Sequence, residues 1–262
     1  MFGYSILGFG AGGTGGVTPA WTPTDLANLQ FWFDASDATK MWTDAGTTLV
    51  SSDGQAVYRL GDKSGNGFHA NQSGSSTLRP LYKTAYQNGL DALLFDGTDD
   101  YLALPLMDVF ATAACVFVAV NSTENGTEQR PIDIQSPDTG TNQCFFILRL
   151  YQVTNEVGAF GYDTASIENK VSVDPAGIGI WGLTAAESGN IYVYNGATPG
   201  AGTAISTFKA IAAETGKGNI GANRTGAGNF FKGAWCEAIG YSSVPSGADI
   251  TNIVNYLGRW VP

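Results

Sequence analysis

The sequence predicts an all-β antiparallel sandwich with a short C-terminal helix and an extended N-terminal arm. Three observations lead there. Strand-like apolar runs recur along the chain between loops of Gly, Asn, Ser, Asp and Thr, the rhythm of a sandwich. Glycine makes up 35 of 262 residues without a period of three, and charged residues are only 14%, so neither collagen nor a charge-rich disordered chain fits. An apolar content of 44% can bury one large core, and all-β sandwiches often reach this length as one domain.

The arm comes first, over residues 1–25. Phe2, Tyr4, Ile6, Leu7 and Phe9 sit on a glycine-rich tether, and the stiffer Thr18-Pro-Ala-Trp-Thr-Pro23 joins them to the domain. The segment lacks the basic n-region and unbroken apolar core of a secretion signal, and holds nothing near the ~20 apolar residues that span a bilayer. Burying one large apolar side chain contributes about 1.5–3 kcal/mol. Five on a flexible leash predict an attachment element that docks on a partner chain or a neighbouring copy.

The domain occupies residues 26–262. Leu29-Gln-Phe-Trp-Phe-Asp-Ala-Ser-Asp37 is a strand running into an acidic turn. Strands follow at 57–60, 92–95, 101–104, 115–120, 144–151, 158–162, 178–185, 191–194, 219–222 and 230–241. Residues 121–140, with Asn-Ser-Thr-Glu-Asn-Gly-Thr and Ser-Pro-Asp-Thr-Gly, read as an exposed rim loop. At the end, Ser246 and Asp249 make a capping pair, and Ile250, Ile253, Val254, Leu257 and Val261 form an apolar stripe, which predicts a helix over 246–260. Cys115, Cys144 and Cys236 each lie in an apolar run without the spacing of a zinc or disulfide framework, so buried free thiols are expected.

Two turn motifs carry a resemblance. Asp62-Lys-Ser-Gly-Asn-Gly-Phe-His-Ala70 and Leu94-Phe-Asp-Gly-Thr-Asp-Asp-Tyr-Leu102 break apolar strands with polar glycine turns. Ile191-Tyr-Val-Tyr-Asn-Gly196, Gly218-Asn-Ile-Gly221, Phe230-Phe-Lys-Gly-Ala-Trp-Cys-Glu-Ala-Ile-Gly-Tyr241 and the capped helix follow in order. Together they resemble the laminin G-like, concanavalin A-like lectin-glucanase domains found in bacteriophage structural proteins and bacterial surface proteins. The resemblance narrows the sandwich to a jelly roll.

It also frames the chemistry. Glycan-cleaving relatives of that fold carry Glu-x-Asp-x-x-Glu on one strand, placing two carboxylates on one face. The seven glutamates here, Glu124, Glu128, Glu156, Glu168, Glu187, Glu214 and Glu237, show no such pair. Glu237 lies in a strand at a position usually acidic in non-catalytic relatives too, so its expected role is structural. His69, the sole histidine, reads as a turn-packing residue. No enzyme activity is expected.

Calcium is the one cofactor worth weighing. Asp62 and Asn66 open a turn spaced like the start of a calcium loop, and Asp96, Asp99 and Asp100 would complete it from across the sandwich, as in some laminin G-like domains. The competing reading is that these side chains cap their own turns. Glycan candidates are Trp42, Tyr82, Tyr86, Tyr162 and Asn223, aromatic and amide side chains of the kind that hold sugars. Net charge is −10 at neutral pH, which excludes binding to nucleic acid or an anionic membrane surface through basic patches.

The expectation is a non-catalytic bacteriophage virion accessory protein, a capsid decoration, head-fibre or tail-associated subunit. Made in the host cytoplasm, it would sit on the virion surface, its arm held by other virion structural proteins and its jelly roll touching cell-surface glycan. A homo-oligomer is compatible with this. The alternative is a stand-alone carbohydrate-binding module of a bacterial surface system.

Overall fold

A computed structural model describes residues 20–105, 113–123, 126–135, 145–151, 154–162, 166–186, 189–204, 217–223 and 225–262. Phe2, Tyr4, Ile6, Leu7 and Phe9, the residues expected to attach the arm, lie outside them, as does Cys144. In chain order the strands begin with β1 (Leu29–Asp34), β2 (Met41–Trp42), β3 (Arg59–Leu60), β4 (Ala70–Asn71), β5 (Leu81–Gln87) and β6 (Leu90–Asp96). They continue through β7 (Leu102–Leu104), β8 (Ala113–Ser122), β9 (Glu128–Gln135), β10 (Phe145–Tyr151), β11 (Glu156–Tyr162) and β12 (Ser166–Ser172). The last are β13 (Gly177–Ala186), β14 (Asn190–Asn195), β15 (Thr198–Pro199), β16 (Thr203–Ala204), β17 (Lys217–Ile220) and β18 (Lys232–Tyr241), followed by helix α1 (Gly247–Leu257).

These strands form two antiparallel sheets packed as a sandwich. The first runs β15-β14-β13-β8-β18-β6-β5, with β1 on β18 and β16 on β14; the second runs β12-β11-β10-β9-β17-β7-β4-β3-β2. Period-two alternation sorts the side chains between layers. In β8, Ala114, Val116, Val118 and Val120 enter the core between the sheets, whereas Cys115, Phe117 and Ala119 face outward beneath α1. Cys115 and Cys236 are buried free thiols, and burial pushes both above the ordinary thiol range.

The 121–140 segment departs from the sequence expectation, because β9 runs through it and buries Ile132 and Ile134. Pro131 is what hides the strand, since proline cannot donate to a ladder and normally marks an edge or a bulge. Here the pairing of β9 with β10 slips between Leu148 and Leu150, opposite that proline, while the Pro131 carbonyl accepts from Gly221 N–H at 3.2 Å and Trp235 Nε1 at 3.1 Å.

Helix α1 is capped as expected, with Ser246 Oγ accepting from Asp249 N–H at 3.2 Å and donating to the Asp249 carboxylate at 2.7 Å. Ile250, Ile253 and Leu257 are buried against the first sheet. Val261 does not extend the stripe and is 40% exposed. The chain tightens into a 3-10 turn over Gly258–Trp260, so Trp260 takes the next inward position.

A bulge in β18 places one further group. Trp235 lies opposite Val120, Glu237 opposite Ala119 and Ala238 opposite Val118, so Cys236 and Glu237 together face one residue of β8. The extra residue turns the Glu237 side chain toward α1.

Candidate functional site

The outer face of the second sheet carries a concentration of polar and aromatic side chains. Register aligns Trp42 with Arg59, Arg59 with Asn71, Asn71 with Ala103, Ala103 with Asn219 and Asn219 with Asp133, a row running across six strands. Beyond it, Leu148 and Leu150 point into the core, so Arg149 and Tyr151 point out. Glu168 and Lys170 of β12 join them on that face.

An ion-pair network links these groups. Arg130 bonds Asp133 at 2.7 Å and Glu128 at 2.8 Å; Arg149 lies 3.5 Å from Glu128 and 3.6 Å from Glu168; Lys170 lies 3.3 Å from Glu156 and 3.5 Å from Glu168. The Tyr151 hydroxyl donates to Glu168 and accepts from Arg149 Nη1 at 3.0 Å. Burial and Glu168 push that phenol above its ordinary range, so it stays a protonated donor. Four carboxylates meet three cations, leaving this face close to neutral within a strongly acidic chain.

Glycine shapes the platform. A Cβ on Gly158 would lie 3.0 Å from the Tyr151 ring and 3.3 Å from Lys170 Cγ, and Lys170 Nζ stands 4.2 Å from the ring centroid. Tyr151 is thus laid over bare backbone with its position held by a cation. Trp42 is placed likewise: a Cβ on Gly61 would lie 2.9 Å from its ring. At the rim a Cβ on Gly226 would lie 2.7 Å from the half-buried Tyr101.

That rim also holds the acidic turn. Asp96, Asp99 and Asp100 bring carboxylate oxygens within 4.8 Å of one another. Asp62 and Asn66 are not with them, which corrects the expected calcium site. Asp62 accepts from the N–H groups of Trp32, Ser64 and Phe68 and from Ser64 Oγ, while Asn66 Nδ2 donates to the carbonyls of Leu29 and Gln30, so both tie their own turn to β1. His69 Nδ1 accepts from Asp62 N–H at 3.0 Å, the turn-packing role expected of it. In the acidic turn Asp96 caps Thr98 N–H at 2.7 Å and Asp100 caps Asp96 N–H at 3.0 Å, which accounts for both placements.

Asp100 is only 4% exposed, and burial, then the Asp96 and Asp99 charges, push it up to about 7 against the donor Asp96 N–H. The folded state therefore holds a proton that the unfolded state releases near 4. Stability from this group is present below pH 4 and is lost as pH rises toward 7, by on the order of a few kcal/mol. Asp100→Asn should flatten the fall in melting temperature between pH 5 and pH 8; an unchanged pH profile counts against the assignment.

The remaining glycan candidates scatter. Tyr82 is corrected: it is 5% exposed in the core and its hydroxyl donates to Asp91, so no sugar reaches it. Tyr86 stands 47% exposed on edge strand β5, on the other sheet. Tyr162 lies in β11, its side chain outside the described residues. Asn223 braces its own loop, accepting from Thr225 N–H, Thr225 Oγ1 and Ala227 N–H. Trp42 shares the Tyr151 face.

Glu237 is sealed. Its oxygens accept from Trp32 Nε1 at 2.7 Å, Trp260 Nε1 at 2.7 Å and Arg259 Nη2 at 2.7 Å, and none of its surface is exposed. Burial, then the neighbouring Asp34, push this carboxyl above its usual range despite Arg259. Asp34, opposite it in register, is also raised by burial, but Arg259, Lys63 and Ser36 outweigh that and hold it low. The pair secures α1 and is closed to substrate.

No protein-family model matches the chain, and no curated protein matches it in sequence. Solved structures share its fold. Domain 4 of AbnA, a GH43 extracellular arabinanase from Geobacillus stearothermophilus, in complex with arabinotriose, superposes with TM-score 0.59 at 14% identity, over 87% of this chain and 98% of that one. The receptor binding domain of botulinum neurotoxin mosaic serotype C/D gives 0.59 at 9% identity, over 87% and 51%. The binding domain of Paraclostridial Mosquitocidal Protein 1 gives 0.57 at 10% identity, over 90% and 53%. The chain spans about half the length of the two toxin domains. At these identities the likeness is one of fold alone, a jelly-roll-like β-sandwich.

Proposed function

We propose that this chain is a non-catalytic glycan-binding jelly roll displayed on a bacteriophage particle, with the outer face of the second sheet as its sugar-binding surface. The observation that carries the reading is Tyr151, laid over Gly158 between Arg149 and Lys170. An aromatic ring on flat backbone offers a sugar ring an apolar face to stack on, and the flanking guanidinium, ammonium and carboxylates offer its hydroxyls donors and acceptors. Near neutrality of the network favours an uncharged glycan over an anionic one. The arabinotriose held by the structurally similar arabinanase domain makes arabinan a first probe.

Affinity electrophoresis of the full chain in arabinan and other neutral polysaccharides tests this. Binding should weaken about tenfold in Tyr151→Ala, near 1.4 kcal/mol. Retardation unchanged by Tyr151→Ala and Trp42→Ala would remove the face from consideration. The particle assignment draws on the laminin G-like resemblance and the five large apolar side chains of the arm. Deleting residues 2–16 should leave a folded domain that no longer joins purified virions; normal incorporation refutes anchoring by the arm.

A further inference from the structure

On the opposite side of the sandwich, α1 builds a second aromatic recess that the expected glycan candidates do not include. Asn252, Asn255, Tyr256 and Arg259 follow one another at helical spacing, and with Trp21 they line a cavity of about 440 Å³. Trp21 and Tyr256 meet edge to face, centroids 5.8 Å apart at 64°, which fixes two half-buried rings at an angle. Asn252 and Asn255 are exposed, and their carboxamides make no hydrogen bond among the described residues. Arg259 commits Nε and Nη2 to Glu237 and Nη2 also to Asp34, so its charge is already matched while its guanidinium borders the cavity 4.8 Å from the Tyr256 ring.

We propose that this recess is a second saccharide subsite, taking one uncharged sugar ring. Two rings set at an angle give an apolar wall, and two free carboxamides give paired donors and acceptors of the kind that fit vicinal hydroxyls. An anionic sugar is disfavoured, because Arg259 already answers two carboxylates and the chain carries net charge −10. The ligand class rests on the glycan-binding reading above; the site does not.

The test follows indole N–H resonances of the full chain by NMR, with Trp21 and Trp42 assigned through their Phe variants. D-galactose, D-glucose and L-arabinose are added to roughly 50 mM, enough to load a site with millimolar Kd, and arabinotriose is added separately. The Trp21 resonance should shift saturably with at least one probe, and the shift should vanish in an Asn252→Ala/Asn255→Ala variant that leaves the Trp42 response intact. These asparagines are exposed, so the variant keeps its fold. A still Trp21 beside a moving Trp42 overturns the second subsite and leaves the glycan reading standing. Both resonances still with all four probes overturns the second subsite, and the Tyr151→Ala electrophoresis then decides the glycan reading separately. A Trp21 shift that survives loss of the two carboxamides overturns their role. A Trp21 resonance that ignores sugar but moves when residues 2–16 are deleted assigns the recess to the arm instead.

Discussion

Replacing Arg259 with alanine should destabilise the chain by about 3–5 kcal/mol, the cost of stranding buried charge. The guanidinium holds Glu237 at 2.7 Å and Asp34 at 3.0 Å, and those two carboxylates lie opposite each other on β18 and β1 with almost no exposed surface. Without it, only Lys63, 2.8 Å from Asp34 and shared with Asp37, remains to compensate them. Arg259→Lys should recover part of the loss, since an ammonium supplies charge without the planar fork. The comparison that decides the mechanism is Arg259→Ala with Glu237→Gln. If repulsion between carboxylates is the main cost, the double variant should be more stable in urea than Arg259→Ala alone. An Arg259→Ala midpoint equal to that of the parent chain would show that the network contributes nothing.

Leu257→Ala should cost about 2–5 kcal/mol, the range for emptying a buried leucine site. Leu257 has no exposed surface and packs with Ile250, Ile253 and Trp260 against Cys115, Phe117 and Ile239 of the first sheet. A helix of 11 residues is marginal alone, so α1 depends on this contact as much as the sheet does. The expected result is a lower denaturation midpoint with an unchanged slope. No change would mean that α1 rests on the sheet without stabilising it.

Much of the fold was legible because period-two alternation survives in single strands. The 115–120 and 178–185 runs fall within β8 and β13, and the Ser246–Asp249 cap marks the start of α1. β9 was not legible, since Pro131 interrupts its pattern and the slip that accommodates it, two residues of β9 against one of β10, exists only in the pairing. The surroundings of Glu237 were hidden for a related reason. A bulge is a property of the pairing between β18 and β8, and no local pattern in Trp235-Cys-Glu-Ala-Ile239 announces which way the carboxylate turns. Tyr151 is different. Its alternation with Leu148 and Leu150 was readable, and applying it would have placed Arg149 and Tyr151 together on the outer face. Tyr82 misled because β5 is an edge strand along which only Tyr82 and Gln87 are buried, and no local pattern in residues 81–87 singles Tyr82 out.

The place where the chain enters the domain has a mechanical consequence. Ala20 precedes Trp21, which packs on Tyr256 of α1, on the side of the sandwich that the helix covers, whereas Tyr151 looks out from the other sheet. Tension between a held arm and a ligand on the Tyr151 face must therefore cross the thickness of the molecule. It loads the apolar layer in which Phe31, Phe33 and Trp235 meet Ile132, Leu148 and Ile220, sheet against sheet. The first ladder in its path is the pairing of β1 with β18, and the interior layer carries the load beyond it.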